Sequence, residues 1–180
     1  MFPTQPTFVG EKVYLRPPNS DDPLNFYFWS LLSEPQSQSC RPMRIGNPGN
    51  VVENYKKKEQ GINNQDFSIV QKEDNRLVGK TTYFDLNTQN RSAEIGIIID
   101  PDERENGYAS EAIFLLCKYL FRQRGLNKVY AQTAEFNKGA INLLKSLEFK
   151  QDGILRDHYY FDSEFHNGLI FSILLYEFNQ

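Results

Sequence analysis

Cysteine is scarce. The 180-residue chain has two, Cys40 and Cys117, far apart and without metal-ligand spacing, so neither a disulfide framework nor a cysteine-built metal centre is expected. Cys117 falls in an apolar run and reads as a buried thiol in a reducing compartment. There is no basic start leading into an apolar signal segment, and the longest apolar stretches are far too short to span a bilayer; no membrane partner is expected, and the expected location is cytoplasmic. Neither sign of charge dominates: 20 Lys and Arg stand against 23 Asp and Glu, a net charge of -3, so the overall field does not gather a nucleic-acid backbone. The run Lys56, Lys57 and Lys58 reads as the solvated face of a helix. Internal repeats, coiled-coil heptads and low-complexity tracts are also missing.

What is present fits one domain, long enough to bury about 70% of its extended surface. Residues 1–10 read as a flexible tail and residues 11–180 as the single domain. KVYLRP at 12–17 alternates as a half-buried strand. The next segment offers Ser20 or Asp21 as an N-cap, Pro23 near a first turn, and Leu24, Phe28, Leu31 and Leu32 on one helical face. Pro35 to Asn50 reads as a polar loop able to arrange itself around a ligand, followed by a short helix in VVENYKKKEQ. Strand patterns at 66–73, 76–86 and 92–100 form an antiparallel meander with a turn at Asp74-Asn75.

After residue 109 the apolar period changes from two to 3.6, through Ala112, Ile113, Leu116, Cys117, Leu120 and Phe121, and KVYAQTA at 128–134 is again a strand. This strand–turn–helix–strand unit is a right-handed crossover joining two parallel strands. A helix capped by Asn137 follows, with Ile141, Leu144 and Leu147 inward, then strands at 150–162 and 169–178 around a loop at His166-Asn167-Gly168. The predicted fold is α+β: a mixed, mostly antiparallel sheet with helices on both faces and one central crossover.

The turn inside that crossover, DPDERENGYASEA at 100–112, carries the functional signal. Gly107 can take conformations closed to other residues and lets a ligand rest on the main chain, while Ala109 and Ser110 keep the surface low. The free N–H groups at the helix start suit a phosphate or pyrophosphate. The same residues also suit a tight connection with a small-residue packing seam. A Walker loop would need more glycine and a Lys-Ser/Thr pair, and a dinucleotide fingerprint would need three spaced glycines; both are missing.

Arg104-Glu105-Asn106-Gly107-Tyr108-Ala109 matches the (Gln/Arg)-x-x-Gly-x-(Gly/Ala) loop of the GNAT N-acetyltransferases, and AEIGIIIDPDERENGYASEA resembles the branch containing ribosomal-protein N-terminal and spermidine/spermine acetyltransferases. VYLRP, the VGK strand, FNKGAINLLKSLEF and the tail strand agree in order, so the resemblance covers roughly residues 11–178. It implies acetyl-CoA as cofactor: Ile97, Ile98 and Ile99 would offer backbone groups to the pantetheine arm, Arg104, Glu105, Asn106, Gly107, Tyr108, Ala109 and Ser110 would wrap the pyrophosphate, and Asn137 would contact the arm. Asn137 has a sufficient role as an N-cap as well, and Tyr108 equally suits covering the apolar helix face.

Acetyl transfer to an amine needs a neutral nucleophile, alignment, carbonyl polarisation and an exit for the thiolate. Glu94, on the strand face shared with Gly96 and Ile98, is the expected proton acceptor, directly or through water; a cross-strand charge partner is the alternative. Asp85 is the expected substrate-binding carboxylate for a cationic acceptor, or else a strand-end turn residue. Glu111 is read as structural, favoured by the helix dipole. Where the spermidine branch carries a tyrosine proposed to protonate the thiolate, this chain has Leu144, and Glu148 replaces a glycine. His158, Tyr159 and Tyr160 lie where acceptor walls form. With Arg41 and Arg44 and almost no acid in 35–50, the expected acceptor is a protein N-terminal amine, such as that of a ribosomal protein, ahead of a polyamine or other small amine. A CoA-binding module without catalysis is the alternative of another class. A homodimer is left open.

Overall fold

The computed structural model describes residues 6–32, 46–57, 61 and 63–178. Eight strands form one sheet in the order β1-β2-β3-β4-β5-β6-β8-β7. In chain order these are β1 (Phe8–Val9), β2 (Val13–Arg16), β3 (Gln65–Gln71), β4 (Leu77–Asn87), β5 (Ser92–Ile99), β6 (Lys128–Ala134), β7 (Lys150–Phe161) and β8 (Glu164–Leu174). The helices are α1 (Asp22–Leu32), α2 (Pro48–Lys57), α3 (Tyr108–Arg122), α4 (Lys138–Ser146) and a closing turn, α5 (Leu175–Phe178). The α+β architecture is the expected one, with β5 and β6 as the parallel pair and α3 as the crossover. Among the described residues no helix is long and apolar enough to cross a membrane.

The two sheet faces differ in chemistry. One is apolar: Val13, Leu15, Ile69, Tyr83, Ile95, Val129 and Phe171 join Ala112, Leu116 and Leu120 of α3 and Leu144 of α4 in one core. The other follows from register, since residues directly opposite one another share a face. Arg16 opposes Ser68, Ser68 opposes Lys80, Asp66 opposes Thr82, and Lys80, Thr82 and Phe84 oppose Ile98, Gly96 and Glu94. This polar face lies under α1 and α2. There Asp22 accepts from Arg16 at 2.5 Å and Ser68 at 2.6 Å, Tyr55 donates to Asp66 at 2.7 Å, and Lys80 sits over the Phe26 ring.

Several expectations change. Of the residues 1–10 read as a tail, Phe8 and Val9 pair with Leu15 and Tyr14, and Phe8 packs on Phe67 and Tyr119. α1 buries Pro23, Phe26 and Trp29, while Phe28 and Leu32 are exposed, because apolar residues ring this helix and its period singles out no face. The helix over 51–60 starts earlier, at Pro48, and the loop expected over 35–50 lies outside the described residues as far as residue 45, Arg41 and Arg44 included. The last hairpin turns at Asp162-Ser163, both with positive φ, so His166 to Gly168 lie within β8, and 175–178 are helical.

Candidate active site

The parallel ladder between β5 and β6 is short. It runs from Ser92–Lys128 to Glu94–Tyr130 and stops. Beyond it β5 stays paired with β4 as far as Gly79–Ile99, and β6 stays paired with β8 as far as Ala134–Gly168. The two strands fork, each held on its outer side. In an extended strand alternate N–H and C=O groups point to opposite edges, so residues 95–99 present a row of polar backbone groups to the gap. Ile97, Ile98 and Ile99 are half-buried along it.

The chain leaves the β5 prong through a 3-10 turn, Pro101–Glu103, whose entry is capped by Asp100 accepting from the Asp102 N–H at 3.1 Å. Arg76 braces this turn by an ion pair with Glu103. The loop then takes positive φ twice, at Glu105 (66°) and Gly107 (81°), and α3 starts with Gly107 as a cap that supplies no side-chain hydrogen bond. Glu105, Asn106 and Gly107 are exposed, and Ala109 and Ser110 are half-buried. The first turn of α3 is thus left without a side-chain cap at the open end of the fork, an arrangement that can receive an anion. Tyr108, 9% exposed, packs into the core, in keeping with its reading as a cover for the apolar helix face, and leaves its main chain at the loop.

The β6 prong ends at Ala134, and Asn137 lies just beyond, 9% exposed, its Oδ1 accepting from the Ala140 N–H at 3.1 Å as cap of α4. Its capping role is therefore established by geometry. Leu144 is buried at 4% exposure, leaving no hydroxyl at that point of α4.

At the crotch of the fork Glu94 and Tyr130 are the last parallel pair, on the polar face. Sequence reasoning missed Tyr130, because only strand register places it beside Glu94. Burial raises the Tyr130 phenol above its ordinary pKa, and the charges of Glu94 and Asp85 add to the shift. Asp85 sits where the β4–β5 ladder slips, with φ 50°, exposed, on the wall of an open depression of about 710 Å³ that also includes Asn63, Asn64 and Phe84. That depression lies at the β4 end, not against Ile97–Ile99. Further along β6, Gln132 contacts His158 Nε2 at 2.7 Å and donates to the Tyr159 hydroxyl at 2.9 Å, which ties the β7 side chains to the second prong. Tyr160 points away: it is 66% exposed and pairs with Phe165.

Glu111 is spent structurally, as expected. Its carboxylate accepts from the N–H groups of Glu11, Lys12 and Val13.

Residues 12–150 match the acetyltransferase (GNAT) domain. The uncharacterized N-acetyltransferase p20 of Bacillus licheniformis is 33% identical over 112 residues, which are 62% of this chain and 63% of that protein; the match thus spans less than two thirds of this relative. The spermidine N(1)-acetyltransferase of Vibrio cholerae is 28% identical over 54% of this chain and 56% of its own. In fold, the structure of spermidine N-acetyltransferase from Vibrio cholerae in complex with CoA and spermine superposes with a TM-score of 0.85 at 21% identity, over 95% of this chain and 100% of that one. A GNAT acetyltransferase from Bacillus anthracis gives 0.79 at 19%, over 94% and 98%.

Proposed function

The chain belongs to the GNAT acetyltransferase family, and from that premise we propose that it transfers the acetyl group of acetyl-CoA to an amine, with polyamines such as spermidine as the acceptor class. The observation that carries the reading is the fork: an open strand edge, an uncapped helix start at its mouth and a carboxylate at its crotch. Acetyl-CoA supplies the activated thioester. Residues 95–99 hold its arm by backbone hydrogen bonds, and the Arg104–Ser110 stretch holds its pyrophosphate.

Glu94 takes the proton of the incoming ammonium, directly or through water. A free alkylamine has a pKa of about 10, so this step precedes or accompanies attack. Tyr130, whose phenol is pushed above its ordinary pKa by burial and then by Glu94 and Asp85, offers an O–H donor beside Glu94 on the same face. With Leu144 in the core, α4 offers no acid at that position, and a thiol of pKa about 8.5 is a tolerable leaving group.

Spermidine N(1)-acetyltransferases recur among the relatives, from Vibrio cholerae and Escherichia coli, which favours a polyamine over the first expectation of a protein N-terminus. The acidic pair Asp85 and Glu94 favours a polycation by the same logic. We place the protein in the cytoplasm, a reading supported by the buried free thiol of Cys117.

The test is thiol release from acetyl-CoA with spermidine, spermine, small monoamines and peptide N-termini at fixed pH. Faster release with the polyamines is expected; release with peptides alone would overturn the acceptor assignment.

A further inference from the structure

The Arg104–Gly107 loop has a second wall, which comes from the far side of the sheet. Glu111 gathers the N–H groups of Glu11, Lys12 and Val13 into its carboxylate and so clamps the turn before β2 onto the first turn of α3. The clamp leaves no room for a side chain at residue 10, since a Cβ on Gly10 would overlap the Glu111 carboxylate. It also brings the Lys12 side chain to the loop. Its Nζ donates to the Asn106 carbonyl at 3.1 Å and stands 3.2 Å from where a Cβ on Gly107 would be.

Three features of this corner bear on an anion. An ammonium has three donors, and the Asn106 carbonyl takes one, which leaves two on an exposed side chain. Two carboxylates of this corner are engaged, Glu111 by three backbone N–H groups and Glu103 by Arg76, while Glu11 and Glu105 are exposed to solvent. Lys72 does not compete, because its Nζ is turned to the Gly10 carbonyl at 2.9 Å, tying down the turn that carries Lys12.

We infer that Lys12 is a further cofactor-binding residue, whose ammonium pairs with the pyrophosphate of CoA at the lip of the Arg104–Gly107 loop. This rests on the acetyl-CoA reading above. It adds a cation supplied by an element three strands away from β5, set in place by Glu111.

The test is calorimetric binding of CoA, dephospho-CoA and pantetheine to the wild-type chain and to Lys12→Gln and Lys12→Arg. Lys12→Gln is expected to weaken CoA and dephospho-CoA on the order of three- to tenfold and to leave pantetheine, which has no phosphate, unchanged. The difference should shrink in high salt, and Lys12→Arg should bind CoA close to the wild type. Equal CoA affinity in Lys12→Gln, or equal weakening of CoA and pantetheine, would overturn the role, as would failure of Lys12→Arg to restore affinity. A loss seen with CoA but not dephospho-CoA would overturn the pyrophosphate assignment. If the wild-type chain itself bound no CoA, the acetyl-CoA reading would fall first.

Discussion

Glu111 and Val13 are separated by 98 residues, yet the carboxylate of one accepts the backbone N–H of the other at 2.9 Å. Removing Glu111 strands three N–H groups and frees a helix from a strand. Glu111→Ala should cost about 1–3 kcal/mol in urea unfolding. Gly10→Ala should cost about as much by overlap, and because both act on one contact the double variant should lose less than the sum.

The buried pair Arg16–Asp22 holds α1 to the polar face, with side chains 9% and 7% exposed and an N–O distance of 2.5 Å. Truncating one partner leaves the other charge buried alone. Arg16→Ala and Asp22→Ala should each destabilise by about 3–5 kcal/mol, read from the unfolding midpoint.

Gly107→Val places a branched side chain where φ is 81° and where Lys12 Nζ approaches within 3.2 Å of the new Cβ. Strain of about 1–3 kcal/mol is expected. CoA affinity, measured by calorimetry, should fall at least roughly tenfold, well beyond the loss from any one side chain of the loop.

Glu94→Gln keeps the shape of the fork and removes the carboxylate proposed to accept the proton. Turnover should fall by about a hundredfold with CoA affinity within roughly twofold of the wild type, and the pH profile should steepen toward alkali. Unchanged turnover across the alkaline range removes Glu94 from the mechanism.

Alkaline stability has a definite sign. Burial, then the charges of Glu94 and Asp85, raise the Tyr130 pKa in the folded chain above its ordinary value of 10.0. The folded state therefore holds this proton more tightly than the unfolded one. Stability should be full below about pH 10 and fall as pH rises through the folded pKa. Tyr83, raised first by burial, acts in the same direction. Tyr130→Phe should flatten part of this slope in urea midpoints taken from pH 9 upward.

The crossover and its loop were legible because a change of period is local: the switch at residue 109 marks the start of α3 to within one residue, and Asn137 caps α4 as its sequence position suggests. What escaped depends on distant partners. His166-Asn167-Gly168 looked like a turn because of its glycine, but Gly168 lies inside β8, where His158 and Tyr159 cross it so closely that a Cβ would meet His158 Cδ2 at 3.1 Å. The turn falls instead on Asp162 and Ser163, which take positive φ without a glycine. The buried face of α1 was hidden because its apolar residues surround the helix, and Tyr130 and Lys12 because strand register and a clamp across the fold bring them to the site.

The fork also carries a liability. A strand edge that stops pairing in mid-sheet is a template for any extended segment, including one from another molecule, and the empty protein cannot shield it with a bulge or a charge without spoiling its purpose. Occupancy of the gap then doubles as protection, and preparations kept saturated with CoA should resist aggregation longer than bare ones.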